Sequence, residues 1–294
     1  MTLQILVVGL RSLDSGKTTL ASSLIRALRD SGVDTVALKP VGSVEAWQHP
    51  EALRWSGEHS IVVTPDAIRL SAASESAEPL DVVEPVAALH APPDPSRWQW
   101  NPSLYEAATS DPNRTAALVR VTMCTANSRA SAHLMVGDTL SRAPRSIASR
   151  LESLAPRLTP RPVEVSSGEL GALLGPRTLE AADSCLRWAS ARHEAIVVES
   201  YSDVAAPTPA SLGSDLVIAV APGLAALLEG GRYSRAVMVR AGSGSLSLIT
   251  ALEAVHLAEP RRTMSLPVLE DPEEGYPRDS LEPILEAVRG LLRS

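Results

Sequence analysis

Hydrophobic positions change period twice in the first forty residues. Residues 3–9, LQILVVG, form a nearly unbroken apolar run rich in β-branched side chains, the pattern of a strand buried on both faces. Over 17–30 the apolar residues fall on one helical stripe through Leu20, Leu24, Ile25 and Leu28, and Asp30-Ser31-Gly32 stops it. TVALKPV (35–41) returns to the strand pattern and is closed by Pro40. Strand, glycine loop, helix, strand is the unit from which parallel sheets are built.

The same alternation returns late in the chain. Residues 177–192 have helical spacing through Leu179, Ala182, Leu186 and Ala189, and AIVVES (195–200) follows as a strand. DLVIAVAPG (215–223) reads as another buried strand, Leu224 to Glu229 as a helix, and AVMVRAG (236–242) as the next strand. A helix from about Leu246 to His256 and a last one from about Asp279 to Leu292 complete the pattern. The expected fold is α/β: a three-layer α/β/α sandwich with at least five parallel strands in a mostly parallel sheet. The middle is less regular. Residues 74–113 hold seven prolines (79, 85, 92, 93, 95, 102, 112) together with Trp98, Trp100 and Tyr105. The tryptophans read as part of a lid over substrate or as a packed loop anchor. LVRVTMC and AHLMVG, within 116–136, are two further strand candidates. The stretch of about 74–175 is therefore expected as an elaboration on a single domain spanning 1–294.

Composition narrows the class. Apolar residues make up 45% and charged residues 21%, as in soluble globular proteins. A net charge of −7 without a basic run argues against a nucleic-acid partner. The longest apolar run, Leu216 to Leu228, is interrupted by Pro222-Gly223 and is too short for a bilayer, so no membrane association is expected. The apolar start is too short for a secretory segment, which points to a cytoplasmic protein. Cys124 and Cys185 lack metal-ligand spacing and read as two buried thiols. The six histidines form no i,i+4 pair. Of 27 basic residues only two are lysines, Lys17 and Lys39. In a chain that uses arginine almost everywhere, these mark places that need a compact ammonium rather than a planar fork.

Both lysines lie in stretches with chemical meaning. Residues 9–20 read GLRSLDSGKTTL, and SGKTTL has the form of the end of a phosphate-binding loop. The usual spacing places a glycine at position 11, where Arg11 stands; the nearest upstream glycine is Gly9. A phosphate chain needs backbone N–H groups converging at a helix N-terminus, with a glycine for close approach. Asp14, Ser15, Gly16, Lys17, Thr18 and Thr19 are the expected nucleotide-binding residues, with Lys17 reaching the β- and γ-phosphates and Thr18 a Mg²⁺ ion. Arg11 could reach toward phosphate or a partner subunit, or sit in solvent. Lys39 falls at the C-terminal edge of a strand beside this loop, where ligands bind in open α/β sheets, and Glu199 would emerge at the same edge.

GLRSLDSGKTTL followed by ALKPVGS resembles the dethiobiotin synthetase group of P-loop proteins, which includes the cobyrinic acid diamide synthases. Loops in that group also tolerate a non-glycine at the place of Arg11, with a glycine slightly earlier. Lys39, Pro40, Val41 and Ser43 match the group's second strand, while Gly42 and Val44 depart from it. The resemblance covers about 1–70 and 177–245 and leaves out 110–175. It implies Mg²⁺ held by Thr18, Glu199 and Asp66, with Asp14 close to metal or substrate. It implies ATP, or GTP, as the nucleotide, and a small-molecule second substrate facing Lys39. Lys17 and Lys39 would be the catalytic residues of a P-loop hydrolase or ligase-like enzyme that activates a carboxylate or carbamate by phosphoryl transfer. Dimerisation is common in the group, so a homodimer is implied as well. Two departures bear on the substrate. Glu199 is followed by Ser200-Tyr201-Ser202-Asp203, where dethiobiotin synthetases have a glycine-rich turn, so the second substrate should differ from the amines of biotin synthesis. Arg240-Ala241-Gly242 stands where the group often has an adenine-binding asparagine, and the N-K-x-D guanine motif is missing. The glycines of AGSGS (241–245) precede a helix and could hold a second anion or cap it. Two other readings share the SGKTTL loop: a regulatory nucleotide-binding adaptor like the molybdopterin-guanine dinucleotide proteins, and a nucleotide-binding scaffold without turnover.

Overall fold

The computed structural model describes residues 2–242 and 244–293. Its strands are β1 (Leu3–Gly9), β2 (Thr35–Leu38), β3 (Val41–Glu45), β4 (Val86–His90), β5 (Ala116–Cys124), β6 (Arg129–Val136), β7 (Val163–Val165), β8 (Ala195–Glu199), β9 (Leu216–Ala221), β10 (Leu224–Glu229) and β11 (Arg262–Ser265). They form two mixed sheets, a six-stranded one in the order β11-β10-β9-β1-β8-β2 and a five-stranded one in the order β3-β4-β5-β6-β7. In the first sheet β9, β1, β8 and β2 are parallel neighbours. The central strands β1, β8 and β9 are apolar along nearly their whole length because helices cover both faces.

One face packs the helices Lys17–Arg29, Pro65–Ala73 and Arg278–Leu292 through Leu20, Leu24, Leu70, Leu281 and Leu285. The other packs Ser167–Ser190, Gly230–Ala241 and Ala251–Ala258 through Leu186, Val237 and Val255. This is the α/β layering that the sequence pattern predicts. The second sheet has its own apolar cluster, built from Leu89, Leu118, Leu140, Leu151 and Leu154. β5 and β6 are the two strands suggested within 116–136, and they pair as an antiparallel hairpin. Trp100 is 73% exposed, so it is not a packed anchor.

Several expectations need correction. Leu224–Glu229 is not a helix but β10, which folds back on β9 through Pro222-Gly223 with Gly223 at φ 76°. Its leucines and alanines favour a helix, but a tight turn and pairing along both edges override that propensity. Residues 236–242 are not a strand: they lie in or just past the helix Gly230–Ala241, whose buried residues Gly230, Tyr233, Ala236 and Val237 have helical spacing. A window opened at Ala236 cuts that period in half. Of the expected five parallel strands, four are adjacent, and the fifth strand of the same direction is β11, separated from them by antiparallel β10. Residues 35–41 do not form one strand. The chain leaves the first sheet after Leu38, and Val41 pairs with Val86 in the second. The expected helix over 246–256 is a single 3₁₀ turn, Leu246–Leu248, followed by Ala251–Ala258. Within AGSGS, Gly242 caps the C-terminus of the helix Gly230–Ala241, and Ser243 lies outside the described residues. Cys124 and Cys185 are buried, but they are not free thiols: they form a disulfide with Cα atoms 5.1 Å apart. No helix among the described residues is long and apolar enough to cross a membrane.

Candidate functional site

β1 delivers the loop 10–16 at the C-terminal edge of the sheet, and Gly16 stands at the N-terminus of the helix Lys17–Arg29. Gly16 has φ 88°, a left-handed conformation that glycine adopts without steric cost. Gly9 serves a different need. A Cβ there would collide with Ser15 Oγ and lie 2.8 Å from Lys17 Nζ. The early glycine therefore leaves room for the lysine to fold back over the loop, while Arg11 stays exposed in solvent. Asp14 holds a left-handed backbone at φ 50°, and its exposed side chain joins no other site residue. Ser15 is buried, and so is Thr19, whose carbonyl accepts a hydrogen bond from Ser23 Oγ.

Four of the residues picked out from sequence meet at one point. Thr18 Oγ1 donates to Glu199 Oε1 at 2.9 Å and lies 3.2 Å from Asp66 Oδ1. Lys39 Nζ sits between the same carboxylates, 2.6 Å from Glu199 Oε1 and 2.7 Å from Asp66 Oδ2. Lys17 stands next to this group: its ammonium donates to Ser15 Oγ at 3.1 Å and to the Ser202 carbonyl at 2.7 Å. Each arrives by a different route. Glu199 ends β8, Lys39 follows β2 directly, and Asp66 lies in the first turn of the helix Pro65–Ala73. Parallel neighbours place the ends of β8 and β2 side by side, which no single stretch of sequence displays.

The electrostatics follow from burial. Burial opposes the charge on Lys39, but Asp66 and Glu199 outweigh it and hold its ammonium well above the usual lysine range. Burial pushes the Glu199 carboxyl up, against the pull of Lys39 and with help from the like charge of Asp66. Burial also opposes charge on Asp66, yet Lys39 holds that carboxyl below its ordinary value. Burial lowers the Lys17 ammonium, and Lys39 adds to the effect. Glu199 Oε2 is buried without a hydrogen-bond partner.

An orphaned carboxylate oxygen, a second carboxylate and a hydroxyl fit Mg²⁺, which is held by one or two carboxylates together with waters and substrate phosphates. Among the described residues no group of three or more His, Cys, Asp or Glu forms a metal site. A hollow of about 460 Å³ lies beside β10, where Arg261 pairs with Glu229 and Arg262 with Glu286. The sheet edge, in contrast, gathers two ammonium groups and two carboxylates around an open loop.

Sequence reasoning missed Thr64, Glu84, Arg120 and the Ser202 carbonyl. Thr64-Pro65-Asp66 was a readable helix start, since threonine is a good cap and proline suits the first helical position. Glu84 and Arg120 carry no local signal, because each is understood only through the other. No family model matches the chain, and searches of curated proteins and of solved structures return no match.

Proposed function

We propose that this chain binds a nucleoside triphosphate together with Mg²⁺ and hydrolyses it or transfers its terminal phosphoryl group to a small second substrate. The observation that carries the reading is the meeting of Lys17, Thr18, Lys39, Asp66 and Glu199 at the mouth of a strand–loop–helix unit. The resemblance of GLRSLDSGKTTL and ALKPVGS to the dethiobiotin synthetase group supports the same chemistry. In this reading the amides at the start of the helix Lys17–Arg29 cradle the phosphates, and Lys17 exchanges the Ser202 carbonyl for phosphate oxygens. Thr18, Glu199 and Asp66 would hold the metal, which when bound supplies charge neutralisation at the terminal phosphates. Lys39, kept charged by its two carboxylates, faces the second substrate and stabilises negative charge there. ATP is the first nucleotide to try, on the resemblance alone. A cytoplasmic setting goes with this reading; the Cys124–Cys185 bond is the feature that pulls against it.

The test is thermal shift with ATP, GTP and CTP, each with and without Mg²⁺. Ligand at a hundred times its dissociation constant should stabilise the fold by about 2.7 kcal/mol. Lys17→Ala should abolish most of that gain. A wild-type protein that no Mg²⁺-nucleotide stabilises, or a Lys17→Ala variant that shifts as much as wild type, would overturn the reading.

A further inference from the structure

Glu84 is a buried acid that the chemistry above does not use. Its carboxylate accepts from Thr64 Oγ1 at 2.5 Å and from the Thr64 N–H at 3.1 Å. Behind it lies Arg120 of β5, equally buried, with Nη2 3.8 Å from Glu84 Oε2. Arg120 is itself tied down: Nε donates to the Val62 carbonyl at 2.8 Å, Nη1 to Thr122 Oγ1 at 2.8 Å, and Nη2 to the Glu84 carbonyl at 2.5 Å. Gly42, one of the two departures from the dethiobiotin synthetase pattern, fits the same unit, because a Cβ there would fall on Glu84 Oε1.

Thr64 passes this restraint on. Its hydroxyl accepts the Ala67 N–H at 3.4 Å and its carbonyl accepts the Ile68 N–H at 3.3 Å, so it caps the helix Pro65–Ala73. Asp66 sits in the first turn of that helix, opposite Thr18 and Lys39. A threonine cap needs no carboxylate behind it, and burying an acid with an arginine is costly unless further hydrogen bonds offset the desolvation; here Thr64 supplies two of those that satisfy Glu84. We infer that Glu84 is a positioning residue: acting through Thr64, it sets where the helix starts and so where Asp66 stands at the sheet edge. The metal readout below rests on the nucleotide reading; the exchange readout does not.

The experiment compares Glu84→Gln, Thr64→Val and Thr64→Ser with wild type. Glutamine places an N–H₂ donor against two Thr64 donors, valine removes the hydroxyl link, and serine keeps it. With ATP saturating, Glu84→Gln and Thr64→Val should weaken the apparent Mg²⁺ affinity about tenfold, the usual effect of disturbing a ligand's outer partner. Thr64→Ser should stay near wild type, and Glu84→Gln should add nothing in an Asp66→Asn background. An equal Mg²⁺ loss with and without Asp66, or no loss, overturns the inference. If no nucleotide binds even wild type, the functional reading fails, and hydrogen exchange decides the positioning role alone. The Ala67 and Ile68 amides should exchange about tenfold faster in Glu84→Gln and Thr64→Val, while those of the helix Lys17–Arg29 stay unchanged. Unchanged or uniformly faster exchange overturns it. Should Glu84→Gln fail to fold, the two Thr64 variants decide both readouts.

Discussion

At the residue scale the sharpest feature is Lys39, about 5% exposed and bridging Glu199 and Asp66. Removing one partner of a buried pair leaves an uncompensated charge, so Lys39→Ala should lose about 3–5 kcal/mol. Lys39→Met combined with Glu199→Gln should recover much of that loss, and chemical denaturation of both variants checks the pair. A second residue gives a pH signature far from the sheet edge. His90 is buried with Nδ1 2.8 Å from Thr115 Oγ1, and burial pushes its imidazole down to about 4. The unfolded chain binds a proton there near pH 6.5 and the folded chain does not, so this contribution is complete above pH 6.5 and is lost as pH falls toward 4. Denaturation curves from pH 7.5 to 4.5 should show wild type losing about 2.5 kcal/mol that His90→Gln does not lose. Lysine scarcity made Lys17 and Lys39 legible in sequence. Glu199 was legible as the polar end of an apolar run, whereas Glu84 and Arg120 look like ordinary surface charges until the fold buries them together.

At the element scale the phosphate-type loop depends on two glycines for different reasons. Gly16 needs a left-handed backbone, so Gly16→Ala should cost about 1–2 kcal/mol of stability. Gly9 needs space, so Gly9→Ala should displace Lys17 and, on the proposed function, weaken nucleotide binding by about tenfold or more, the scale of a lost charged hydrogen bond. Thermal unfolding separates the two: Gly16→Ala lowers the melting temperature without ligand, and Gly9→Ala lowers mainly the gain with ligand. Elements with one strong period were readable from sequence, such as β1 and the helix Lys17–Arg29. The β9–β10 hairpin was not, because Leu-Ala-Ala-Leu-Leu suits a helix and only the Pro222-Gly223 turn with pairing on both sides makes it a strand.

At the scale of the whole molecule, the second sheet and the first are joined by the Cys124–Cys185 bond, which links the end of β5 to the helix leading into β8. A cross-link closing 61 residues should contribute about 4 kcal/mol in the chain-entropy account. Wild type should therefore melt higher without a reducing agent than with one, and Cys124→Ser should erase that difference. The same arrangement brings Arg120 of β5 behind Glu84 and so couples the second sheet to the edge that holds Asp66. Periodicity and a short glycine motif by themselves determined the α/β layering, the central strand–loop–helix unit and the candidates Lys17, Thr18, Lys39 and Glu199 at its mouth, because those signals are local; Asp66 entered only through the family resemblance. Only the tertiary structure decided that Lys39 lies between Glu199 and Asp66, that the cysteines pair, and that β10 is a strand. Those outcomes depend on which distant segments become neighbours, and burial then assigns each charge its partner.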